Sequence, residues 1–204
     1  MLKTAIKVQG KIESFPIAQK DTCDRFIIPD KLYGRENEVK TLLQAFERVC
    51  LGATEMMLVA GFSGIGKTVV VNEVHKPIVR QQGYFIKGKY DQLQRNIPLS
   101  AFVQAFQDLI KQLLAESDAQ ILQWKNKILE ALGENGQALV EVLPELEKII
   151  GLQPPVPELS GTSAQNRFNL LFQKFIKVFA NNAHPLVIFL DDLQWADSAS
   201  LKLI

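Results

Sequence analysis

The chain has 204 residues, 47% of them hydrophobic and 22% charged, with a formal net charge of +1 at pH 7. That is enough for one sizeable core, or a core with a small helical lobe, while so even a charge argues against a nucleic-acid reader, whose affinity rests on clustered Lys and Arg. Cys23 and Cys50 lack metal-type spacing, His75 and His184 stand alone, and no apolar run reaches the roughly 18 residues of a membrane span, so zinc and membrane roles are not expected and the cytoplasm is the default location.

Met1 to about Arg25 is polar and mixed, which predicts an irregular leader over 1–25 and a main domain over 26–204. Tyr33-Gly34-Arg35-Glu36-Asn37-Glu38 then precedes Leu42, Leu43, Phe46, Val49 and Cys50 at helical spacing, with Lys40, Gln44, Glu47 and Arg48 off that face. Met56-Met57-Leu58-Val59-Ala60 is an uninterrupted apolar run, as expected of a strand buried on both faces of a parallel sheet. It leads into Gly61-Phe62-Ser63-Gly64-Ile65-Gly66-Lys67-Thr68, which fits the phosphate-loop template G-x-x-x-x-G-K-[S/T] at every fixed position.

A polyphosphate carries dense negative charge, and backbone N–H groups turned inward at the positive end of a helix can hold it. Without a Cβ, the loop glycines let the backbone come close to phosphate oxygens. Lys67 is predicted to bring its ammonium to the β/γ-phosphates and Thr68 its hydroxyl to Mg²⁺. Gly61, Ser63, Gly64, Ile65, Gly66, Lys67, Thr68 and the adjoining Val69 are therefore the expected nucleotide contacts. Val69, Val70, Val71 and Val74 continue as a helix that depends on packing against the sheet, since valine is a mediocre helix former.

Gly83 to Lys89 reads as a second strand, with Lys87 and Lys89 either near phosphate or on a solvated strand end. From Ser100, which can cap it, Phe102, Ala105, Phe106, Leu109, Ile110, Leu113 and Leu114 form an apolar stripe. Asp118 opens a further helix closed by Gly133, and a run from about Gln137 to Ile150 should bend or split at Pro144. Gly151 to Pro157 is a stiff connector, and Ala164 to Asn181 carries the aromatic face Phe168, Phe172, Phe175 and Phe179, suited to a core or to docking a partner. This block is longer than one crossover needs, so about 100–161 reads as an insertion of roughly three helices.

Leu186-Val187-Ile188-Phe189-Leu190 then runs into Asp191-Asp192. Ligands of open parallel sheets bind beyond the carboxyl ends of the strands, so an aspartate there faces the crevice of the phosphate loop. Asp191 is the expected Mg²⁺ carboxylate, acting through water. Asp192 is either the carboxylate that orients or deprotonates an attacking water, catalytic together with Lys67, or a turn residue capping the next element. Asp197 or Ser198 should cap a final helix.

The Tyr33–Glu38 turn, the loop and Leu190-Asp191-Asp192-Leu193-Gln194-Trp195-Ala196-Asp197 together resemble the AAA-like ATPase module of the signal-transduction ATPases with numerous domains. The likeness is greatest to the ATPase segment of large bacterial multi-sensor signalling kinases and runs from about Asp24 onward. It implies an α/β P-loop NTPase three-layer core with a parallel sheet and a helical insertion, working as an ATP·Mg²⁺ switch beside neighbouring signalling domains. It also implies that Tyr33, Gly34 and Arg35 lie at the adenine side, although an exposed turn suits Arg35 equally. In that fold class a later strand separates the phosphate-loop strand from the acidic strand. The chain stops at Ile204 before such a strand, so the expectation is a C-terminally truncated fold with weak or absent hydrolysis. An unpaired first strand would leave buried donors unsatisfied at about 1–3 kcal/mol each.

Two other functions suit parts of the pattern. A partner-docking helical remnant with a vestigial nucleotide site would use the aromatic helices. A DNA-loading ATPase of the origin-recognition type shares the Gly-Arg-Glu turn but would need a winged-helix domain, and the neutral charge weighs against it. Neither a His-Arg-Asp loop nor an Asp-Phe-Gly motif supports protein-kinase activity within these residues.

Overall fold

A computed structural model describes residues 3–8, 11–16, 34–81, 83–94, 97–180 and 184–204. They belong to two compact units, residues 1–33 and 34–204. In the first, β1 (Lys3–Val8) and β2 (Lys11–Pro16) pair antiparallel, with Lys3 opposite Pro16 and Val8 opposite Lys11. The irregular leader expected over 1–25 is thus corrected over its first part to a hairpin. Its lysines disguised two runs carrying Thr4, Ile6, Val8, Ile12 and Phe15, residue types that favour a pleated backbone.

The second unit holds α1 (Glu36–Cys50), α2 (Lys67–Glu73), α3 (His75–Arg80), β3 (Tyr84–Lys89), α4 (Ser100–Leu113), α5 (Asp118–Leu132), α6 (Gly136–Val140), α7 (Glu147–Ile150), α8 (Gly161–Phe179), β4 (Leu186–Asp191) and α9 (Ser198–Leu203). Local chemistry explains most boundaries. Glu36 and Glu38 occupy the first turn of α1 and Arg48 its last, complementing the helix dipole. Ser117 and Gln120 form a capping box at the start of α5, and Gly133 ends it. Pro144 splits the following run into a 3-10 turn and α7. Ser100 is the first residue of α4 rather than its cap; the cap is Leu99, in a left-handed conformation.

β3 and β4 form a two-stranded parallel sheet with Tyr84 opposite Leu186 and Lys89 opposite Asp191. Because side chains alternate across a strand, the sheet feeds two apolar clusters. Ile86 joins the large cluster built by α4 to α8, which includes Phe106, Leu109, Ile128, Leu139 and Phe175. Phe85 joins a smaller one with Phe46, Val71, Val74 and Ile78 from α1, α2 and α3. The aromatic stripe of α8 is spent inside the large cluster: Phe172 and Phe175 lie 5.1 and 5.4 Å from Phe106, ring centre to ring centre.

One close approach fixes α4 on the sheet. A Cβ at Gly88 would lie 1.8 Å from the Ala101 carbonyl oxygen, so only glycine lets the first turn of α4 rest on β3. The main-chain N–H of Lys89 donates to Gln104 Oε1 at 2.7 Å, tying strand and helix a second time.

The buried strand expected at Met56–Ala60 is corrected. Residues 53–62 have no regular structure, Met56 and Leu58 are 70% and 75% exposed, and β4 pairs with β3 alone among the described residues. A buried strand needs a neighbour to take its backbone hydrogen bonds, and without one an extended run stays in water. β4 is for the same reason only half buried. No helix among the described residues is long and apolar enough to cross a membrane.

Candidate functional site

The glycine-rich loop closes directly onto α2. Gly66 caps that helix at φ 91° and Gly64 sits at φ 78°, left-handed positions that a side chain would strain. Lys67 folds back over the loop, its Nζ donating to the carbonyls of Gly61 at 2.8 Å and Phe62 at 3.0 Å. The ammonium is therefore held by the loop itself, whose residues Gly61, Ser63, Gly64 and Ile65 are exposed. Arg35 Nη2 reaches the Ile65 carbonyl at 3.4 Å, and its Nη1 pairs with Glu38 at 3.0 Å. Gly34 N donates to Glu36 Oε1 at 3.2 Å, closing the turn ahead of α1. Tyr33 lies outside the described residues. Val69 is exposed on the first turn of α2, whereas Val70 and Val71 are buried.

The acidic strand meets this loop from 123 residues further along the chain: Thr68 Oγ1 donates to Asp191 Oδ2 at 2.9 Å. Asp191 also accepts the Asp192 N–H on Oδ1 at 2.9 Å, which holds its carboxylate at the strand end. Asp192 then turns left-handed at φ 55°, so two adjacent acids leave the strand in different directions. Its side chain does not cap the following 3-10 turn. Instead its carboxylate accepts from Gln194 Nε2 at 3.1 Å and pairs with Lys89 Nζ at 3.3 Å. Lys87 Nζ reaches Asn72 Oδ1 at 3.3 Å. The Thr68 hydroxyl, the Asp191 and Asp192 carboxylates and the Lys89 ammonium thus collect at the carboxyl end of a parallel sheet, where open α/β folds place their ligands.

Similarity to known proteins gives the family. A family model described as an AAA ATPase domain matches residues 31–204. The chain belongs to the AAA ATPase domain family. It is also 37% identical over 194 residues to "Hybrid signal transduction histidine kinase G" of Dictyostelium discoideum, covering 95% of this chain and 6% of that protein. It is 22% identical over 193 residues to "Histidine protein kinase 1" of Candida albicans (strain SC5314 / ATCC MYA-2876), covering 87% of this chain and 8% of that protein. The chain therefore spans well under a tenth of either relative. No solved structure matches it.

In this AAA ATPase domain the residue that sequence reasoning undervalued is Asp197, expected only as a helix cap. It does cap α9, Oδ1 accepting from Ala199 N and Ser200 N at 2.9 Å each. Its second oxygen, Oδ2, accepts from the Ser200 hydroxyl at 2.5 Å and from Leu99 N at 3.1 Å, 98 residues away. Ser200 is fully buried and Tyr90 almost so. Burial alone would raise the Asp197 carboxyl, but the Ser200 hydroxyl and the N–H groups of Ser200, Leu99 and Ala199 outweigh it and hold the carboxyl below its ordinary value of 3.8. The only sequence signal for this role was an acid five residues beyond Asp192.

The sign of the linkage follows. A carboxyl whose folded value is depressed contributes stability at pH above its unfolded value, and that contribution disappears as pH falls through the folded value. Asp197→Ala is expected to cost at least about 1 kcal/mol at neutral pH, the scale of a lost helix cap. Its deficit against the parent chain should narrow as pH drops below 3.8. Urea melts of both chains from pH 7 downward check this; a deficit that does not change with pH contradicts it.

Proposed function

We propose that this AAA ATPase domain is an ATP·Mg²⁺-binding regulatory module of a multidomain signalling protein, located in the cytoplasm, whose nucleotide state controls contacts with neighbouring domains. The observation that carries the proposal is the 2.9 Å bond from Thr68 to Asp191, which joins a phosphate-loop motif to the acidic strand end. Gly61, Ser63, Gly64, Ile65, Gly66 and Val69 would line the phosphates with backbone N–H groups, and Lys67 would exchange its two loop carbonyls for β/γ-phosphate oxygens. Tyr33, Gly34 and Arg35 would contact the base.

The donor set suits magnesium. Thr68 and Asp191 offer hard oxygens side by side. Among the described residues no group of three His, Cys, Asp or Glu side chains could cage a metal. Mg²⁺ binds in just this fashion, through one or two protein oxygens, waters and substrate phosphates, and when bound it offsets charge on the β- and γ-oxygens. Asp192, held by Lys89 and Gln194, would orient the attacking water for in-line hydrolysis.

The finer architecture we propose is a P-loop three-layer core over 26–204 with a helical insertion over about 100–161. The alternative of a partner-docking remnant loses its main support, because Phe172, Phe175 and Phe179 are buried in the chain's own core.

Titration with a fluorescent ATP analogue, with Mg²⁺ and with EDTA, tests the reading. Binding is expected to be about tenfold tighter with Mg²⁺, the scale of one well-made polar interaction. Asp191→Asn should erase that difference while leaving EDTA-state binding within about threefold. Equal affinity in Mg²⁺ and EDTA for the parent chain would remove the assigned metal site.

A further inference from the structure

Among the described residues, Leu99 and Asp192 are the non-glycine residues with left-handed backbones, at φ 61° and 55°. A left-handed leucine persists only where its surroundings over-determine it. Here two things do so: the side chain is 6% exposed inside the large core, and the backbone N–H is held by Asp197 Oδ2. Asp192 and Asp197 are the two ends of one short acidic loop. Trp195 N returns to the Asp192 carbonyl at 2.9 Å and Ala196 N to that of Leu193 at 3.0 Å, so the segment between them is a closed turn rather than slack chain.

We infer that Asp197 is a positioning residue that couples the acidic loop of the nucleotide site to the start of α4. The bistable element is the Leu99 backbone. While Oδ2 faces it, Leu99 is left-handed and α4 begins at Ser100, with Val103 N on the Leu99 carbonyl at 2.9 Å. When the loop shifts and the oxygen withdraws, the strained residue relaxes to an ordinary region and the first turn of α4 re-forms or frays with it. That turn is pinned at Gly88 and Gln104, and Ser100, Val103 and Gln104 line a groove of about 700 Å³ together with Lys89, Leu99 and Val142. Lys89 is also the cation on Asp192, so the two ends of the loop each grip one wall of the same groove. A change at the candidate γ-phosphate end would thereby reshape a surface on the helical side of the domain.

The inference rests on the proposed function for what moves the loop, so the test has an arm without nucleotide. Hydrogen exchange at the Leu99 amide and across residues 97–103 is read in the parent chain and in Asp192→Asn, which weakens the Lys89 and Gln194 contacts. Asp192→Asn is expected to speed exchange at Leu99 at least about threefold. In an Asp197→Asn background, where an amide nitrogen meets the Leu99 N–H but the α9 cap survives, exchange should already be faster by at least about tenfold and no longer respond to Asp192→Asn. Asp197→Ser keeps a short cap, cannot reach Leu99 and serves if the first variant does not fold. Ser200→Ala removes a bond to the same carboxylate and is the control for general loosening; its response to Asp192→Asn should persist. A response that survives in both Asp197 variants, or vanishes equally in Ser200→Ala, overturns the coupling. Mg²⁺·ATP is expected to slow exchange over residues 64–70 and to alter it at Leu99. Failure at 64–70 with an intact Asp192→Asn response counts against the nucleotide reading alone, whereas protection at 64–70 with no change at Leu99 overturns the coupling.

Discussion

Lys67→Ala is expected to weaken ATP·Mg²⁺ binding by about 100-fold, equivalent to roughly 2.7 kcal/mol. The ammonium stands 2.8 and 3.0 Å from two carbonyls of its own loop, where a ligand phosphate could take their place. Hydrogen bonds to charged groups contribute about 1.5–3 kcal/mol each, and two to phosphate oxygens replace two to neutral carbonyls. The fold should barely register the change, because those carbonyls are on an exposed loop and water can satisfy them. Calorimetric titration of both chains, with matching thermal melts, measures it. An affinity ratio under threefold with an unchanged melt would show that the loop is not where the nucleotide binds.

Gly88→Ala is expected to be the most damaging single methyl group in the molecule. The new Cβ would sit 1.8 Å from the Ala101 oxygen, 2.6 Å from its carbonyl carbon and 3.0 Å from its Cα. Main chain cannot swing aside as a side chain can, so α4 must lift from β3 and with it the contacts of Ile86, Phe102 and Phe106 in the large cluster. Overpacking costs about 1–3 kcal/mol where neighbours can adjust; here at least about 3 kcal/mol is expected. For a domain of this size that lowers the melting temperature by roughly 6–12 °C. Ala101→Gly should not rescue it, because the obstruction is the carbonyl rather than the Ala101 methyl. A melt within 2 °C of the parent chain would mean that α4 does not rest on β3 as described.

Both predictions start from features that differ in how legible they were. The loop could be read from eight consecutive residues, because left-handed turns, backbone donors and a lysine are local requirements. The same holds for the helix opened at Asp118 and closed by Gly133, the break at Pro144 and the apolar run that ends in Asp191. Gly88 gave no such signal. Nothing in Phe85-Ile86-Lys87-Gly88-Lys89 says that the backbone of a residue 13 positions later will press against it.

Met56–Ala60 shows the limit in the other direction. Its composition argues for a buried strand, yet burial needs a paired neighbour, and among the described residues no strand pairs with it. The first hairpin was missed for the opposite reason: its lysines mask β-forming residues whose pairing partners lie a few positions away.

The sequence by itself determined the glycine loop with Lys67 and Thr68, the acid at the end of β4 and the periods of α1, α4, α5 and α8, because these follow from chirality, capping and side-chain spacing over a few turns of chain. Only the tertiary structure decided that Thr68 meets Asp191, that Lys89 holds Asp192, that Asp197 holds Leu99 and that Gly88 admits α4. Each of those joins residues that a parallel crossover brings together, and the geometry of that crossover depends on how whole helices fill a shared core rather than on any short stretch of residues.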